Sequence, residues 1–529
     1  MPGRQFLPTL TYLATPARVP GRGGGGRGTA VTPMAFTDLR QFLHRLESMG
    51  RLQRIAEPVD PDLESTAFCR RALLEDGPAL LFERPVGSTN ALLGNLFGAR
   101  DRIECALAGR PLTSLRELGE LLASLKEPRW PSSLREALRV WPEFAQLAYV
   151  TPRRVATAAF NEEQVNGMEV DLGRLPIQRC WPGDAGRLVT FGLVVTHSDR
   201  LQRQNVAIYR QQVVGRNRLI LRWLPHRGGA QDHAEWRARW PDRPFPVLIA
   251  IGADPATLLA AVAPVPDALS EFSFAGLLRG ERSYVWHSEL TGLDAPAGAE
   301  IVLEGFVEPG DTALEGPFGD HTGYYNAQAE FPVLTVHKLR MRRDAIYHGS
   351  YMGRAPHDEP SVLALALNDL FVPILRRMFP EIADFHLPPE ACSYRIAVVS
   401  IHKQYAGHAR RIMMGLWSCL RQFTYTKFII VTDDDIDVRD WGQVIWAVST
   451  RVDPARDSLL VTDTPVDYLD FASPVAGLGS KLGLDATNKW VGESDRSWGR
   501  PIVPDPDVER RVEALWHRVF GEAGGDAAR

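Results

Sequence analysis

Apolar and polar positions begin to repeat at helical spacing where the chain reaches Asp38. Four apolar residues then share one helix face: Leu39, Phe42, Leu43 and Leu46. Asp38 is a residue type that caps free N–H groups, so the pattern predicts a helix beginning at residue 39. Short apolar runs at 79–82 and 91–97 are interleaved with further helical spacing. Residues 34–150 are therefore predicted to form an α/β domain.

Residues 151–345 carry mostly the alternation and short apolar runs of β-strands. Strands are predicted at 189–197, 205–214, 219–224, 245–251, 301–307 and 331–339. The sequence Gly-Arg-Asn-Arg at 215–218 predicts a hairpin between the second and third of these strands. Helices are predicted at 256–262, after the cap Asp254, and at 271–279, before Gly280. The region is predicted to be a β-rich domain built as a barrel or closed sheet.

Residues 346–529 return to alternating strands and helices. Strands are predicted at 394–401 and 427–432, and helices at 408–421, 440–450 and 505–520. The stretch 474–489 is rich in Gly and Pro and is predicted to be irregular. The order of elements is typical of a layered α/β domain that ends in a helix. The whole chain is thus predicted to be a mixed α/β protein of three domains.

The composition is that of an ordinary globular protein: 529 residues, of which 45% are hydrophobic and 23% charged. The net charge of −4 gives no global basic field, which argues against nucleic acid as a partner. No stretch approaches the roughly 18 to 20 consecutive apolar residues of a membrane-spanning helix. The five cysteines form no CxxC pair, which argues against structural zinc and disulfides and for reduced thiols in the cytoplasm.

The first 33 residues differ from the rest of the chain. They contain 12 Gly or Pro residues and four Arg but no acid. Such a segment buries too little apolar surface to offset the entropy of ordering, so it is predicted to be disordered. It resembles a transit peptide in its Arg content, but the glycine run at 23–26 makes a poor amphipathic helix. We expect Met34 to be the true start, which leaves a net charge of −8.

The most informative short segment is Glu-Gly-Pro-Phe-Gly-Asp at 315–320. Pro317 and Gly319 favour a type I turn, which brings Glu315 and Asp320 close together. Two neighbouring carboxyl groups titrate as a coupled pair with one raised pKa, which supplies an acid for proton transfer near neutral pH. The alternative interpretation is a polar turn with two solvated acids.

A second segment, Asn-Val-Ala-Ile-Tyr-Arg at 205–210, is predicted to lie inside a strand. At a period of two residues, Asn205 and Tyr209 share one face and Arg210 lies on the other. Arg210 close to a carboxylate pair or a carboxylate substrate is suited to a bidentate clamp. On an exposed strand it is solvated instead.

Two further places are candidates for binding an anion or a metal ion. A glycine pair at 228–229 follows Arg227, and backbone N–H groups at such a turn form an anion-binding concavity. Glu271 opens a predicted helix, where an acid either favours the helix dipole or binds a hard cation. Together with His226 and phosphate oxygens, Asn and Glu ligands suit Mn²⁺ or Mg²⁺. The alternative for His226 is a simple hydrogen bond.

Other motifs argue for or against specific chemistry. Three aspartates at 433–435 are interpreted as a loop or helix cap, because no His or Glu follows nearby. The sequence contains no GxxxxGK[ST], GxSxG or HExxH motif and no GxGxxG after a strand. These absences argue against the usual nucleotide-binding, serine hydrolase and zinc protease sites.

Five long segments carry a family resemblance. They are QNVAIYRQQVVGRNRLILRWLPHRGGA, IGADPATLLAAVAPVPDALSEFSFAGLLRG, EIVLEGFVEPGDTALEGPFGDHTGYYN, KQYAGHARRIMMGLWSCLRQFTYTKFIIVTDDD and DYLDFASPVAGLGSKLGLDATNKW. In this order, they resemble the UbiD family of aromatic-acid decarboxylases, and within it the 3-polyprenyl-4-hydroxybenzoate carboxy-lyases of ubiquinone biosynthesis. The resemblance extends over nearly all of 34–520.

The resemblance implies a split β-barrel over 151–345 that binds prenylated FMN, with Mn²⁺ and in many members K⁺ at the phosphate. The cofactor-binding residues it implies are Ile208, Tyr209, Arg210, Arg222, Trp223, Leu224, Arg227, Gly228 and Lys481. The metal ligands it implies are Asn205, Glu271 and His226. The catalytic residues it implies are Arg210, Glu315 and Asp320. Many family members have Glu where this chain has Asp320, and the quinone-pathway branch has Asp there.

The resemblance also implies an activity, the non-oxidative decarboxylation of 4-hydroxy-3-polyprenylbenzoate to 2-polyprenylphenol. Aromatic decarboxylation leaves electrons in an orbital with no adjacent acceptor, so the flavin must accept them. Arg210 would orient the substrate carboxylate, and Asp320 would deliver a proton to carbon with its pKa set by Glu315. One alternative is the same fold acting reversibly on another aromatic or α,β-unsaturated acid. A second is an inactive flavin- or metal-binding scaffold, against which the intact catalytic residues argue.

The implied partners follow from the same resemblance. They are the polyprenylated aromatic acid, a flavin prenyltransferase that supplies the cofactor, and further copies of the chain, in many members a homohexamer assembled through 346–529. The polyprenyl tail implies weak peripheral contact of a cytoplasmic protein with the inner face of the cell membrane. No nucleic acid partner is expected.

Overall fold

The N-terminal part contains the predicted helix and a small sheet. The computed structural model describes residues 35–126, 146–263, 265, 269–419 and 421–520, so the predicted disordered segment 1–33 lies outside the described residues. The elements up to residue 126 are α1 (Leu39–Ser48), β1 (Leu52–Ile55), α2 (Glu64–Leu74), β2 (Ala79–Phe82), β3 (Ala91–Gly94), α3 (Arg100–Ala106) and α4 (Leu115–Lys126). Asp38 accepts a hydrogen bond from the N–H of Gln41, and the four predicted apolar residues of α1 are buried. The predicted helix at residue 39 is confirmed.

The middle part consists mainly of strands. Its first elements are β4 (Arg153–Val155), β5 (Glu163–Asn166), β6 (Leu188–Val189), β7 (Leu193–Ser198), β8 (Arg203–Ile208), β9 (Gln211–Gly215), β10 (Arg218–Leu221) and α5 (Gly228–Arg239). Its later elements are β11 (Phe245–Ile251), α6 (Pro255–Ala260), α7 (Glu271–Arg279), β12 (Tyr284–His287), β13 (Asp294–Pro296), β14 (Ile301–Glu315), β15 (Ala329–Met341) and β16 (Ile346–His348). The β9–β10 hairpin, strand β11 and helix α7 are confirmed at the predicted positions.

The predicted strand 205–214 is wrong as a single strand. It divides into β8 and β9, and Tyr209 and Arg210 lie between them outside any ladder. The Tyr209 hydroxyl accepts a hydrogen bond from the N–H of Gly229, and the Arg210 guanidinium binds two distant carboxylates. These contacts come from elsewhere in the fold, so the local alternation of residues does not show the break.

The main sheet of the described residues contains nine strands. Its order is β6-β9-β10-β15-β14-β11-β7-β8, with β5 paired to β15 at the side. The end strands β6 and β8 do not pair with each other in the described structure. The sheet is therefore not the closed barrel that the pattern predicts. However, β8 at one end continues into β9 near the other end through two residues. The two ends of the sheet therefore approach each other at Arg210, and the split barrel remains a prediction.

The C-terminal part is layered. Its elements are α8 (Glu359–Met378), β17 (Ile382–His386), β18 (Ile396–Ile401), α9 (His408–Cys419), β19 (Phe428–Asp433), α10 (Trp441–Arg451), α11 (Pro454–Asp457), β20 (Ser458–Pro465), β21 (Leu478–Ala486) and α12 (Pro506–Phe520). The strands pair in the order β17-β18-β19-β21-β20. The predicted strands at 394–401 and 427–432 and the three predicted helices are confirmed to within two residues at each end.

The predicted irregular stretch 474–489 is wrong, because most of it forms β21. This strand runs parallel to β19 and antiparallel to β20 in the interior of the sheet. A Cβ at Gly483 would overlap the Sδ of Met413 in α9. Glycine at this position allows α9 to pack closely on the strand. Composition alone predicts a loop there, because glycine is common in loops.

The three parts share their packing. β16 pairs in parallel with β3, which completes the N-terminal sheet β1-β2-β3-β16. Helix α8, capped by Asp358, crosses α4 so closely that a Cβ at Gly119 would lie 2.7 Å from the carbonyl oxygen of Leu370. The described residues from Ala35 onward belong to one compact unit. The domain boundaries near 150 and 345 remain a prediction.

Two sequence expectations about chemistry have structural outcomes. All five cysteines are free thiols, as their spacing predicts. Asp433 and Asp435 form ion pairs with Arg451 at the end of β19, and Asp434 lies within hydrogen-bonding distance of the His402 ring. Within the described part of the chain, no helix is both long enough and apolar enough to cross a membrane.

Candidate active site

Arg210 is the centre of a buried ion network. Its Nε and Nη2 donate to the two carboxylate oxygens of Glu315 at 2.8 and 3.2 Å, and its Nη1 donates to Asp320 Oδ2 at 2.6 Å. The side chains of Arg210, Glu315 and Asp320 are only 5%, 0% and 7% exposed. A solvated turn and a solvated arginine are therefore both wrong interpretations. Such a buried bidentate pair holds its geometry tightly.

The loop that carries the two acids is not the predicted type I turn. Glu315 ends β14, Gly316 has a left-handed φ of +88°, and the Gly316–Pro317 peptide bond is cis. The N–H of Gly319 donates to Asp184 Oδ1 at 2.8 Å instead of closing a turn. The two acids do lie close together, but each is bound to Arg210 and not to the other.

Two residues that the sequence does not single out hold this loop, and a third supports the ion network through Arg222. Asp184 also accepts hydrogen bonds from the N–H groups of Cys180 and Trp181. Asn326 Oδ1 accepts from Arg210 Nη2 at 2.7 Å and from the N–H of Phe318 at 2.9 Å. Asn326 belongs to the segment that carries the family resemblance, whereas no local pattern indicates Asp184. The third residue, Tyr468, comes from the C-terminal part.

Tyr468 connects the C-terminal part to the network through Arg222. Arg222 donates hydrogen bonds to Glu315 and to the Tyr468 hydroxyl. The Arg222 guanidinium carbon also lies 4.8 Å from the centroid of the Tyr468 ring, a cation–π distance. Burial raises the pKa of Tyr468 to about 12, so its hydroxyl stays protonated. Glu315 thus receives hydrogen bonds from two arginines.

The prediction of a raised pKa in the acid pair is wrong for Asp320. Burial alone would raise the pKa of this carboxyl, but the hydrogen bond and charge of His321, together with the charge of Arg210, hold it well below its ordinary value. His321 Nδ1 lies 2.6 Å from Asp320 Oδ1. Asp320 is therefore a carboxylate in the resting site.

The residues proposed as metal ligands lie on adjacent elements. Asn205 is buried in β8, and Glu271 at the start of α7 accepts a hydrogen bond from the N–H of Val206 at 2.8 Å. Burial raises the pKa of Glu271 to about 7. Both offer hard oxygen donors, which suit Mn²⁺ or Mg²⁺ if phosphate or water completes the shell. Among the described residues, no group of three or more His, Cys, Asp or Glu side chains is arranged to hold a metal ion.

The glycine pair opens helix α5, which the sequence does not predict. A Cβ at Gly228 would overlap Asn205 Oδ1, and one at Gly229 would lie 2.8 Å from Trp223 Nε1. The Trp223 N–H is buried and has no hydrogen-bond partner among the described residues. A helix N-terminus that begins with two closely packed glycines, beside oxygen ligands for a cation, fits the phosphate of a flavin.

The other residues implied by the resemblance have different surroundings. Ile208 ends β8, and Leu224 follows β10; both are half-buried. Arg227 is exposed at the N-cap of α5. The His226 ring lies 5.0 Å from the ring of Tyr425. The Lys481 ammonium donates to the backbone carbonyls of residues 424, 426 and 465, so three protein acceptors already hold it.

Comparison with known proteins decides the family. Three family models match the chain in order, described as the 3-octaprenyl-4-hydroxybenzoate carboxy-lyase N-terminal domain over 43–122, its Rift-related domain over 153–355 and its C-terminal domain over 361–486. The chain belongs to the UbiD family. Members of this family are carboxy-lyases, and this chain is a carboxy-lyase.

Solved structures of UbiD proteins share the fold over their whole length. Vanillic acid decarboxylase of Sedimentibacter hydroxybenzoicus in closed form is 26% identical, with a TM-score of 0.80 over 92% of this chain and 99% of that one. The UbiD-class enzyme HmfF of Pelotomaculum thermopropionicum in complex with FMN is 29% identical, with a TM-score of 0.73 over 90% and 99%. An evolved dimeric form of HmfF in complex with prenylated FMN is 28% identical, with a TM-score of 0.73 over 90% and 98%. The mixed α/β fold is therefore that of UbiD-class enzymes.

Proposed function

We propose that this UbiD protein decarboxylates 4-hydroxy-3-polyprenylbenzoate to 2-polyprenylphenol without net oxidation. The observation that carries the proposal is the buried network in which Arg210, between β8 and β9, holds Glu315 and Asp320. It combines a cation that can bind a substrate carboxylate with an acid that can exchange a proton. The aspartate at position 320 supports the quinone-pathway branch.

The cofactor of this reaction is prenylated FMN, as the HmfF complexes support. Gly228 and the N-terminus of α5 would hold its phosphate, with Mn²⁺ bound by Asn205 and Glu271, K⁺ nearby and His226 as a further candidate ligand. The remaining contacts would come from the residues that the resemblance implies on β8, β10 and the segment before α5. When bound, the modified flavin supplies the electron acceptor that an aromatic ring lacks.

The protein's own residues then do three things. Arg210 binds and orients the substrate carboxylate with its planar fork of donors. Glu315 and Asn326 keep that fork in place, because each accepts a hydrogen bond from it. Asp320 gives a proton to the ring carbon after CO₂ has left. Since Asp320 rests as a carboxylate, it must take up one proton before each delivery.

A second candidate substrate is a hydroxylated benzoic acid without a polyprenyl tail. The observation in its favour is the likeness to vanillic acid decarboxylase over nearly the whole length of both chains. The same network would serve such a substrate, because the chemistry at the carboxylate is the same. The two candidate substrates differ in whether the pocket accepts a polyprenyl tail on the aromatic ring.

Comparison of two carboxyl-labelled acids tests the substrate. The protein is co-expressed with a flavin prenyltransferase, and ¹⁴CO₂ release is measured from 4-hydroxy-3-polyprenylbenzoate and from vanillic acid. The proposal predicts a kcat/KM at least tenfold higher for the polyprenylated acid. The reverse order would favour the second candidate, and flavin binding without release from either acid would favour an inactive scaffold.

The assembly proposed for the protein is a homo-oligomer, with a hexamer as one form. Helix α12 supports it, because every residue of this helix is exposed, including Val512, Leu515, Trp516 and Val519. Such an amphipathic helix is stable in proteins chiefly through packing of its apolar face. We also propose a cytoplasmic protein in weak peripheral contact with the inner face of the membrane, where a polyprenylated acid resides.

A further inference from the structure

Each turnover consumes one proton, which must be returned to Asp320. Decarboxylation breaks one C–C bond and forms one C–H bond, so an aromatic carboxylate and one proton give the arene and CO₂. The proton that Asp320 delivers must be replaced from water in every turnover. This requirement rests on the carboxy-lyase activity and holds for either candidate substrate.

The network itself is poorly placed to collect that proton. Glu315 is fully buried, and Asp320 Oδ2 is occupied by Arg210. The other oxygen, Oδ1, faces His321, which contacts it twice: Nδ1 lies at 2.6 Å, and the backbone N–H donates at 2.8 Å. The His321 side chain is 20% exposed, compared with 7% for Asp320. His321 is thus bonded to the acid and also reaches water.

We propose that His321 protonates Asp320 in each catalytic cycle. The imidazolium transfers its Nδ1 proton to Asp320 Oδ1 and becomes neutral. Asp320 then passes a proton to the ring carbon, and His321 regains its own from water by rotation about the Cβ–Cγ bond. His321 acts through Asp320 and does not touch the reacting carbon.

The surroundings of His321 favour its charged form. Burial alone would lower the pKa of His321, but its hydrogen bond to Asp320 and the charges of Asp320, Asp358 and Asp467 raise it above its ordinary value. Asp358 caps helix α8, and Asp467 lies between β20 and β21. Arg354 is the cation of the adjoining segment and packs against Gly323. Three carboxylates, one from the middle part and two from the C-terminal part, therefore favour the imidazolium.

Substrate binding supplies the trigger for transfer. In the resting site Arg210 and His321 together hold the pKa of Asp320 low, so the proton stays on His321. A substrate carboxylate competes for the Arg210 guanidinium, and each hydrogen bond it takes weakens the hold on Asp320. The substrate's negative charge acts in the same direction. The proton then moves to Asp320 only when there is a carbon to receive one.

A kinetic test uses His321→Gln with His357→Gln as its matched control. His357 is exposed and contacts Tyr351 through its backbone carbonyl. The proposal predicts that His321→Gln lowers kcat about 100-fold, the scale of lost proton-transfer catalysis, and changes KM less than twofold. Added imidazole should restore at least a tenth of the lost kcat. A kcat within twofold of wild type, or a loss that imidazole does not relieve, would overturn the proposal.

A second measurement does not depend on turnover. Histidine-labelled protein without substrate is titrated by NMR, and the His321 signal is assigned by its absence in His321→Gln. We expect its pKa to lie above the ordinary value of about 6.5 and to fall in Asp320→Asn but not in His357→Gln. A pKa at or below the ordinary value would defeat the relay. If wild type releases CO₂ from neither acid, the proposed substrate fails, and this titration still decides whether His321 is charged by Asp320.

Discussion

The shape of one side chain determines which charges the site can hold. Arg210 presents donors in a planar fork, and this fork reaches Glu315 through two hydrogen bonds while it also reaches Asp320 and Asn326. A lysine ammonium is a single point charge and cannot satisfy three acceptors in this arrangement. The network therefore depends on guanidinium geometry as well as on positive charge.

Substitution Arg210→Lys tests this dependence. It leaves buried acceptors unpaired, and disruption of such a buried pair costs about 3–5 kcal/mol. We expect kcat/KM for CO₂ release to fall at least about 100-fold. The control is Arg216→Lys, because Arg216 lies in the β9–β10 hairpin with its side chain 68% exposed. Equal activity of both variants would show that charge alone suffices.

The dependence of activity on pH follows from the raised pKa of His321. The imidazolium is present below this pKa and is lost as the pH rises through it, so kcat should fall on the alkaline side. Asp358→Asn removes one of the charges that raise the pKa, while asparagine still caps helix α8. We expect the alkaline descent of kcat to move to lower pH in this variant. The exposed pair of Arg218 and Asp311 provides the control Asp311→Asn, whose pH profile should match wild type.

At the scale of elements, the start of α5 depends on close approach. The backbone of Gly228 lies against the side-chain amide of Asn205, so α5 and β8 meet at the proposed phosphate and metal site. Any side chain at position 228 would separate the two elements. Gly228 does not have a positive φ, so its backbone conformation does not require glycine. Glycine is required at this position because there is no room for a Cβ.

Substitution Gly228→Ala is predicted to weaken the site without unfolding the sheet. Its Cβ must displace Asn205, so the dissociation constant of FMN in the presence of Mn²⁺ should rise at least tenfold. Gly215→Ala is the control, because a Cβ there meets the Arg218 side chain at ordinary distances, the nearest being 3.5 Å to its Cβ. Flavin fluorescence titration measures both. An unchanged dissociation constant for Gly228→Ala would exclude this place as the phosphate site.

Elements whose ends are fixed by neighbouring residues could be predicted from the sequence. Elements whose ends or packing depend on residues far along the chain could not. Asp38, Asp254 and Asp440 each cap a helix through hydrogen bonds within three residues, so their helices are visible in sequence. The break at Tyr209 and Arg210 is caused by Gly229, Glu315 and Asp320, which lie far along the chain. Gly483 of β21 is misleading for the same reason, since it allows close contact with Met413 of α9, far along the chain.

The candidate active site was likewise predictable from the sequence only in part. Glu315, Asp320 and Arg210 are recognisable by residue type and spacing, but the partners that set their charge are not. His321 shifts Asp320 toward the carboxylate, which reverses the expected direction of the pKa. Tyr468 reaches the network from a different part of the chain, as only the folded structure shows.

At the scale of the whole molecule, the apolar face of α12 has no partner among the described residues. The double substitution Leu515→Ser with Trp516→Ser tests its role in assembly. Burial of such a side chain contributes about 1.5–3 kcal/mol, so self-association should weaken at least tenfold. Light scattering after size exclusion should show a smaller mass for this variant than for the control Glu509→Ser with Glu513→Ser. Identical masses would place the interface elsewhere.

In the proposed mechanism, Asp320 delivers the proton to the ring carbon of a substrate bound beside prenylated FMN. The most direct measurement is ¹⁴CO₂ release from carboxyl-labelled 4-hydroxy-3-polyprenylbenzoate by wild type and Asp320→Asn, each co-expressed with a flavin prenyltransferase. Asparagine keeps the size of the side chain but cannot supply the proton. We predict rapid release by wild type and no turnover by Asp320→Asn, with the same flavin content in both. Substantial release by flavin-loaded Asp320→Asn would show that another group supplies the proton.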